Sequence, residues 1–207
     1  NTVVTWPDYK TILSNFQKIR DLRYFDDKSK SGFARRISWL YPDDGCWTRA
    51  SAMIEDFFGP LHNTSNQYAR PSKIFVFGNL CVNTDNSSNG SVSWWYHTAP
   101  VVKDAQTNQV YVLDPAVDSR KPVTLEQWAA LITASSGSCG RNNTISTFNI
   151  CNGYGSMPNS RCESGYGNEI SEVASQVNYQ RYERERQAKL GRNVDAVLGD
   201  LPPWLNS

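Results

Sequence analysis

The sequence predicts an α+β fold, on three observations. Apolar residues recur at helical intervals from Asp8 and again after Cys46, the stretch from Lys73 to Leu113 reads as three successive strands, and helical patterns return from Thr124 onward. Strands that follow one another through short turns form an antiparallel meander. Helices segregated before and after such a sheet make the class α+β.

The elements justify this in order. Asp8 to Arg23 places Tyr9, Ile12, Leu13, Phe16, Ile19 and Leu22 on one helical face, with Pro7 near its start. Asp26 to Gly32 is a charged loop, and Phe33 to Leu40 is a short strand or an extended lead. In YPDDGCWTRASAMIEDFF, Tyr41 to Phe58, Pro42 fixes its own φ, Asp43 and Asp44 offer capping carboxylates, and Gly45 permits a tight approach. A helix buried over much of its circumference then runs to Gly59-Pro60. His62 to Pro71 is polar and irregular, which puts His62 on a surface loop.

Lys73 to Val82 is a strand in which Gly78 marks a bulge or a close backbone approach. Asn83 to Gly90 turns the chain into Ser91 to Val102. There, alternation puts Val92, Trp94, Tyr96 and Thr98 on one face and Ser93, Trp95, His97 and Ala99 on the other. Pro100 implies an edge or a bulge. Gln109 to Leu113 is the third strand and ends on Asp114-Pro115. Thr124 caps a helix to Ala134 with Leu125, Trp128, Leu131 and Ile132 on one face. Ser135 to Gly167, rich in Gly, Ser and Asn, is expected to be a loop region held by disulfides. Asn168 to Arg192 is expected to be one helix, apolar at Ile170, Val173, Val177 and Tyr182, with Arg181 to Arg186 as a solvated charged face. The expected organisation is a single catalytic domain over residues 1–207: a core at about 33–134, the disulfide-rich loops at about 135–167 and a helical extension at about 168–207.

The 21 basic and 20 acidic residues nearly cancel. This removes the electrostatic case for nucleic-acid or anionic-membrane partners, which need clustered Lys and Arg. No apolar run approaches the ~20 residues that span a bilayer, so a soluble protein is expected. Seven Trp, ten Tyr and many Asn and Ser suit a secreted protein, and the start at Asn1 suits removal of a leader or pro-segment, or trimming. Five cysteines in an oxidising compartment make two disulfides and one thiol. Cys81, Cys139, Cys151 and Cys162 allow three pairings, among which spacing does not choose. No Cys-x-x-Cys or Cys/His ligand spacing is present, so neither a metal nor another cofactor is expected.

Cys46 falls in the first turn of the buried helix, where free N–H groups and the helix dipole favour the nucleophilic thiolate. An acidic cap at Asp44 would oppose this, so a nearby imidazolium would be needed. The alternative use of such a residue is an inert buried cysteine. Of two histidines, His97 lies on a strand whose neighbour ends at Asp114. Cys46, His97 and Asp114 are thus the parts thiol catalysis requires: nucleophile, base and the acid that fixes the base's tautomer. The bland alternative is a hydrogen-bonded sheet histidine and a turn-capping aspartate.

The segments YPDDGCWTRA, FVFGNL, WWYHTAPVV and VLDPAV, followed by KPVT, resemble the bacterial protein-glutaminases, secreted enzymes that deamidate glutamine within intact proteins. The resemblance covers roughly Trp39 to Ile132; from about Cys139 onward no family motif is recognised. It implies a papain- and transglutaminase-like fold with the cysteine helix packed on an antiparallel sheet, and the roles of nucleophile for Cys46, base for His97 and orienting acid for Asp114. It also implies protein or peptide substrates with exposed glutamine, an inhibitory pro-segment in the precursor, and a secreted or periplasmic bacterial location. Trp47, Trp94, Trp95 and Tyr96 crowd the expected site; Trp47, Trp95 and Tyr96 are candidate substrate-binding residues whose rings could wall a flat amide, with core packing the alternative for Trp94 and Tyr96, which alternate to the other face. Transglutaminase or protease chemistry on the same three residues, a deamidase confined to one target, and a disulfide-bonded binding module are the competing readings.

Overall fold

The β-branched and aromatic runs on either side of residues 84–90 form the centre of the sheet. β4, Ser72–Asn83, and β5, Ser91–Asp104, pair antiparallel from Ser72 opposite Val101 to Asn83 opposite Ser91. The structure is a computed structural model and describes residues 3–57, 69–152 and 168–205. The expectations for His62 and Cys162 lie outside these residues.

β6, Val110–Val112, continues the expected meander beside β5, and β7, Val123–Thr124, follows it. The order is β7-β6-β5-β4-β8, with β8 at Thr144–Cys151; β1, Thr5–Trp6, pairs parallel with the end of β5, and β2, Phe25–Asp26, pairs with β3, Ala34–Arg35, in a separate two-stranded sheet. β8 corrects the expectation of loops throughout 135–167, since it pairs antiparallel with β4. Half of its residues are exposed and only Cys151 is buried, so it carries little of the hydrophobic alternation that reveals a strand.

Pro100 sits within β5 although β4 and β6 flank that strand. Its carbonyl accepts from Leu113 N, so its missing N–H would also have pointed toward the β6 side, where pairing has ended at Val112. The expected bulge at Gly78 is present: the register shifts between Phe77, opposite Tyr96, and Leu80, opposite Trp94. Gly78 has φ +156°, and a Cβ there would lie 2.1 Å from Thr144 O. Only glycine lets β8 approach at that point.

Helices cover both faces. α1, Tyr9–Asp21, begins where Asp8 accepts from Thr11 N at 2.7 Å, and it buries Ile12, Phe16 and Ile19 with Met53, Val102 and Leu113. α3, Leu125–Ile132, begins with a capping box between Thr124 and Gln127 and packs Trp128 and Ile132 on Ile74, Val76, Ala99 and Val101. Leu131, expected on that face, is largely exposed.

The C-terminal helix differs most from expectation. It breaks at Ser175 into α4, Asn168–Ala174, and α5, Gln176–Lys189, followed by α6, Val194–Leu198. On α5 the buried stripe is polar: Gln176, Gln180, Glu183 and Gln187 are buried while Val177 is exposed. The cause lies in residues 36–41, an irregular segment that turns at 38–40, whose remaining backbone groups have no strand partner and must be satisfied otherwise. Ser38 N donates to Gln176, Leu40 N donates to Glu183, Gln180 donates to Arg36 O, and Gln187 donates to Leu40 O. Glu183 also takes a 2.5 Å bond from buried Arg35. Arg184 and Arg186 pair with Asp27 and Asp43, so that part of the charged run is engaged with the core of the fold.

Candidate active site

α2, Cys46–Ala52, passes without a break into a π-helical turn, Met53–Phe57. No carboxylate caps it. Gly45, at φ +81°, is the N-cap, and Asp44 accepts from Gly45 N and from the Tyr179 hydroxyl. This corrects the expectation of an acidic side-chain cap: a left-handed residue reverses the chain so tightly that the Asp44 side chain meets its neighbour's N–H instead of the helix end. A Cβ on Gly45 would stand 2.6 Å from the Tyr179 ring, so α5 presses directly on this turn.

The turn is held by its carbonyls. Arg49 Nη1 donates to Tyr41 O and Asp44 O at 2.8 and 2.7 Å, and Trp94 Nε1 donates to Pro42 O and Asp43 O at 2.9 and 3.1 Å. One clamp comes from the helix and the other from the sheet. Cys46 follows this fixed turn and is a free cysteine, 5% exposed.

His97 is buried on β5. Its Nε2 lies 2.8 Å from Asp114 Oδ2, and Trp128 Nε1 donates to the same oxygen at 2.9 Å. That leaves Nδ1 turned away from Asp114, buried and without a hydrogen-bond partner, in a ring close enough to the Cys46 thiol to interact with it. Burial works against an imidazolium here, but the charge and hydrogen bond of Asp114 and the interaction with Cys46 outweigh it, raising His97 to about 9. Burial likewise opposes the charged Asp114, and the His97 charge together with the bonds from His97 and Trp128 holds its carboxyl below the usual range. The imidazole is flanked by two indoles: Trp94 at 4.3 Å and 7° from parallel, and Trp128 at 5.6 Å and 27°.

A cleft of about 600 Å³ opens at Cys46, bounded by Asp43, Asp44, Gly78, Asn79, Ser93, Trp94, Trp95 and Tyr96. Trp95 is 64% exposed at its rim. Burial, and then the Cys46 sulfur by charge and hydrogen bond, keep the Tyr96 hydroxyl protonated far above its ordinary range. Trp47 points elsewhere: its ring meets Tyr179 edge-on, and it does not border this cleft. Trp94 differs from simple alternation, because the bulge at Gly78 lets it line the cleft while stacking on His97. Arg49, Trp128 and Tyr179 are site residues that sequence reasoning left unassigned, the apolar face marking Trp128 as helix core being the one available signal; Trp94, expected near the site with core packing as the alternative, lines the cleft.

Cys81 and Cys139 form a disulfide and Cys151 is disulfide-bonded, so Cys46 is the free thiol among the described residues. Among those residues no group of three or more His, Cys, Asp or Glu side chains is gathered to hold a metal ion.

A thiol beside an acid-held imidazole at the wall of a cleft is an arrangement that supports nucleophilic acyl transfer on amides. Comparison with known proteins narrows this class. The profile of a family described as glutaminase matches residues 12–132, and the chain belongs to that family. A crystal structure of protein-glutaminase superposes with a TM-score of 0.65 at 26% identity, covering 87% of this chain and 91% of that one. The NMR structure of protein-glutaminase from Chryseobacterium proteolyticum gives 0.66 at 26% identity, with 86% and 89% covered. A crystal structure of pro-protein-glutaminase shares the fold, with a TM-score of 0.66 at 24% identity, and this chain covers 59% of it. No curated protein sequence matches the chain. Coverage of 87% extends past Cys139, so the C-terminal region has structural counterparts where no sequence motif is recognised. The chain is a glutamine-deamidating enzyme with an α+β fold.

Proposed function

We propose that the enzyme deamidates glutamine side chains in proteins and peptides, with Cys46 as nucleophile, His97 as acid and base, and Asp114 as the group that orients His97. The observation that carries this reading is the 2.8 Å contact between His97 Nε2 and Asp114, which leaves Nδ1 unbonded in a ring that interacts with Cys46, the one free thiol of the described residues. The Cys46 thiolate, whose proton is held by the His97 imidazolium, attacks the amide carbon and gives a tetrahedral oxyanion. The imidazolium then protonates the departing nitrogen, ammonia leaves, and a thioester remains. Water, deprotonated by His97, attacks the thioester and releases glutamate and the thiol. The free N–H of Cys46 at the start of α2 is a candidate donor to the oxyanion. Trp95 and Tyr96 at the cleft support a role in seating the amide and its flanking chain.

Residues 1–207 act as one catalytic unit in this reading, with α5 as part of the site's support through Tyr179 and Arg186. The likeness to a pro-protein-glutaminase supports a precursor with an inhibitory pro-segment, and a secreted bacterial enzyme fits both that likeness and the disulfides. Ammonia release with intact-mass analysis tests the reading, using a blocked glutamine peptide and an unfolded protein with wild type and Cys46→Ala. Ammonia and a gain of about 1 Da per site, absent in the variant, are expected from amide-to-acid hydrolysis through a thioester. Undiminished deamidation by Cys46→Ala would contradict it.

A further inference from the structure

We infer that Trp94 is a positioning residue that couples the nucleophile's turn to the base, setting the separation of Cys46 and His97 from a single side chain. The inference rests on the roles proposed above for those two residues. One face of the Trp94 indole lies 4.3 Å from the His97 ring and 7° from parallel, which restricts rotation of the imidazole. The N–H of the same indole donates to Pro42 O and Asp43 O, the carbonyls just ahead of Gly45 and Cys46. Ring and N–H therefore grip the two halves of the proposed machinery.

The bulge at Gly78 makes this reach available. Trp94 opposes Leu80 while Tyr96 opposes Phe77, so two β4 residues face Trp95 alone, and the local twist brings Trp94 beside His97 at the cleft. Stacking on an aromatic face also favours the imidazolium over the neutral ring. Arg49 holds the turn from within α2 but does not contact the imidazole in this way. Trp128 also lies beside His97, with ring centroids 5.6 Å apart, but its N–H is committed to Asp114. Trp94 is the side chain that touches both sides.

Two variants separate the functions of the indole. Trp94→Phe keeps an aromatic ring for His97 and loses the N–H, whereas Trp94→Leu loses both. The readouts are kcat and KM on a blocked glutamine peptide and the rate of Cys46 alkylation by iodoacetamide at pH 6 and pH 9, on protein shown to be folded by circular dichroism. Misplacing reacting groups by about 1 Å costs on the order of 100-fold, so Trp94→Leu is expected to lose kcat by roughly 100-fold and Trp94→Phe by roughly 10-fold, with KM within about twofold. Alkylation at pH 6 should fall by roughly 10-fold in Trp94→Leu while alkylation at pH 9 changes little, because only the lower pH depends on support from the imidazolium. A merely structural role would move thermal stability without moving that ratio. Wild-type kcat and pH 6 to pH 9 alkylation ratio in folded Trp94→Leu would overturn the inference; should that variant not fold, the same result in Trp94→Phe would do so. Slow alkylation of wild-type Cys46 at pH 6, or activity in Cys46→Ala, would instead overturn the nucleophile reading.

Discussion

The indole N–H of Trp128 and the imidazole of His97 share one acceptor, Asp114 Oδ2, at 2.9 and 2.8 Å. Trp128 is fully buried on α3 and packs against the sheet, so the helix that covers the sheet also sets the orientation of the carboxylate. The proposed triad thereby extends into a helix that never reaches the cleft. Trp128→Phe keeps the packing and removes the donor. Losing one such bond costs about 1–1.5 kcal/mol, so kcat/KM on a glutamine peptide should fall by roughly 5- to 10-fold. A Michaelis–Menten comparison checks this, and an unchanged value would separate Trp128 from the acid's function.

Asp114→Asn should remove the interaction that holds His97 in its charged form and fixes its ring. A loss in kcat on the order of 1,000- to 10,000-fold is expected for a base deprived of its orienting carboxylate, measured by ammonia release.

The same pair sets a pH dependence of stability. His97 is raised to about 9 from its ordinary 6.5, so its contribution is complete below pH 6.5 and is lost as pH climbs through 9. Asp114 is depressed, so its contribution is complete above its ordinary 3.8 and is lost as pH falls through the lower folded value. Wild-type Tm should decline by roughly 5–10 °C between pH 6.5 and 9 from this source, and Asp114→Asn should lack most of that decline in differential scanning fluorimetry.

Gly45 is constrained twice, by its φ of +81° and by the Tyr179 ring 2.6 Å from where a Cβ would stand. Gly45→Ala should cost about 1–2 kcal/mol from the left-handed backbone alone, with more from the clash. Adding Tyr179→Ala should recover the clash and leave the backbone cost. Urea unfolding of the single and double variants measures both parts.

Glu183 is buried between Arg35 and Leu40 N. Burial raises its carboxyl above the usual value even though Arg35 and the Leu40 N–H pull it down. Glu183→Ala leaves Arg35 without that carboxylate in the interior, a loss of about 3–5 kcal/mol by the usual cost of breaking a buried pair. Glu183→Gln keeps an acceptor for Leu40 and should cost less in urea unfolding.

Much of the fold was legible because the central strands are dense in Val, Ile, Phe and Trp and the turns between them are rich in Asn, Ser and Gly. Cys46 at a helix start and His97 on the neighbouring strand followed from the same patterns. What escaped was set by contacts distant in sequence. The bulge at Gly78 decides which residues flank His97, and its effect depends on the approach of β8, whose exposed side chains give little signal. The buried stripe of α5 is polar because its partners are backbone groups of residues 36–41, and hydrophobic periodicity assigns such residues to solvent. Arg49 reads as one more charged helix residue until the turn it folds back upon is in place.

The most direct measurement is intact-mass analysis of the enzyme after rapid acid quenching of a reaction with a blocked glutamine peptide. An enzyme adduct equal to the peptide less about 17 Da for the ammonia lost, localised to Cys46 and absent in Cys46→Ala, is expected, as thioester formation requires. A pre-steady-state burst of ammonia with no covalent adduct, or ammonia release by Cys46→Ala at the wild-type rate, would contradict it.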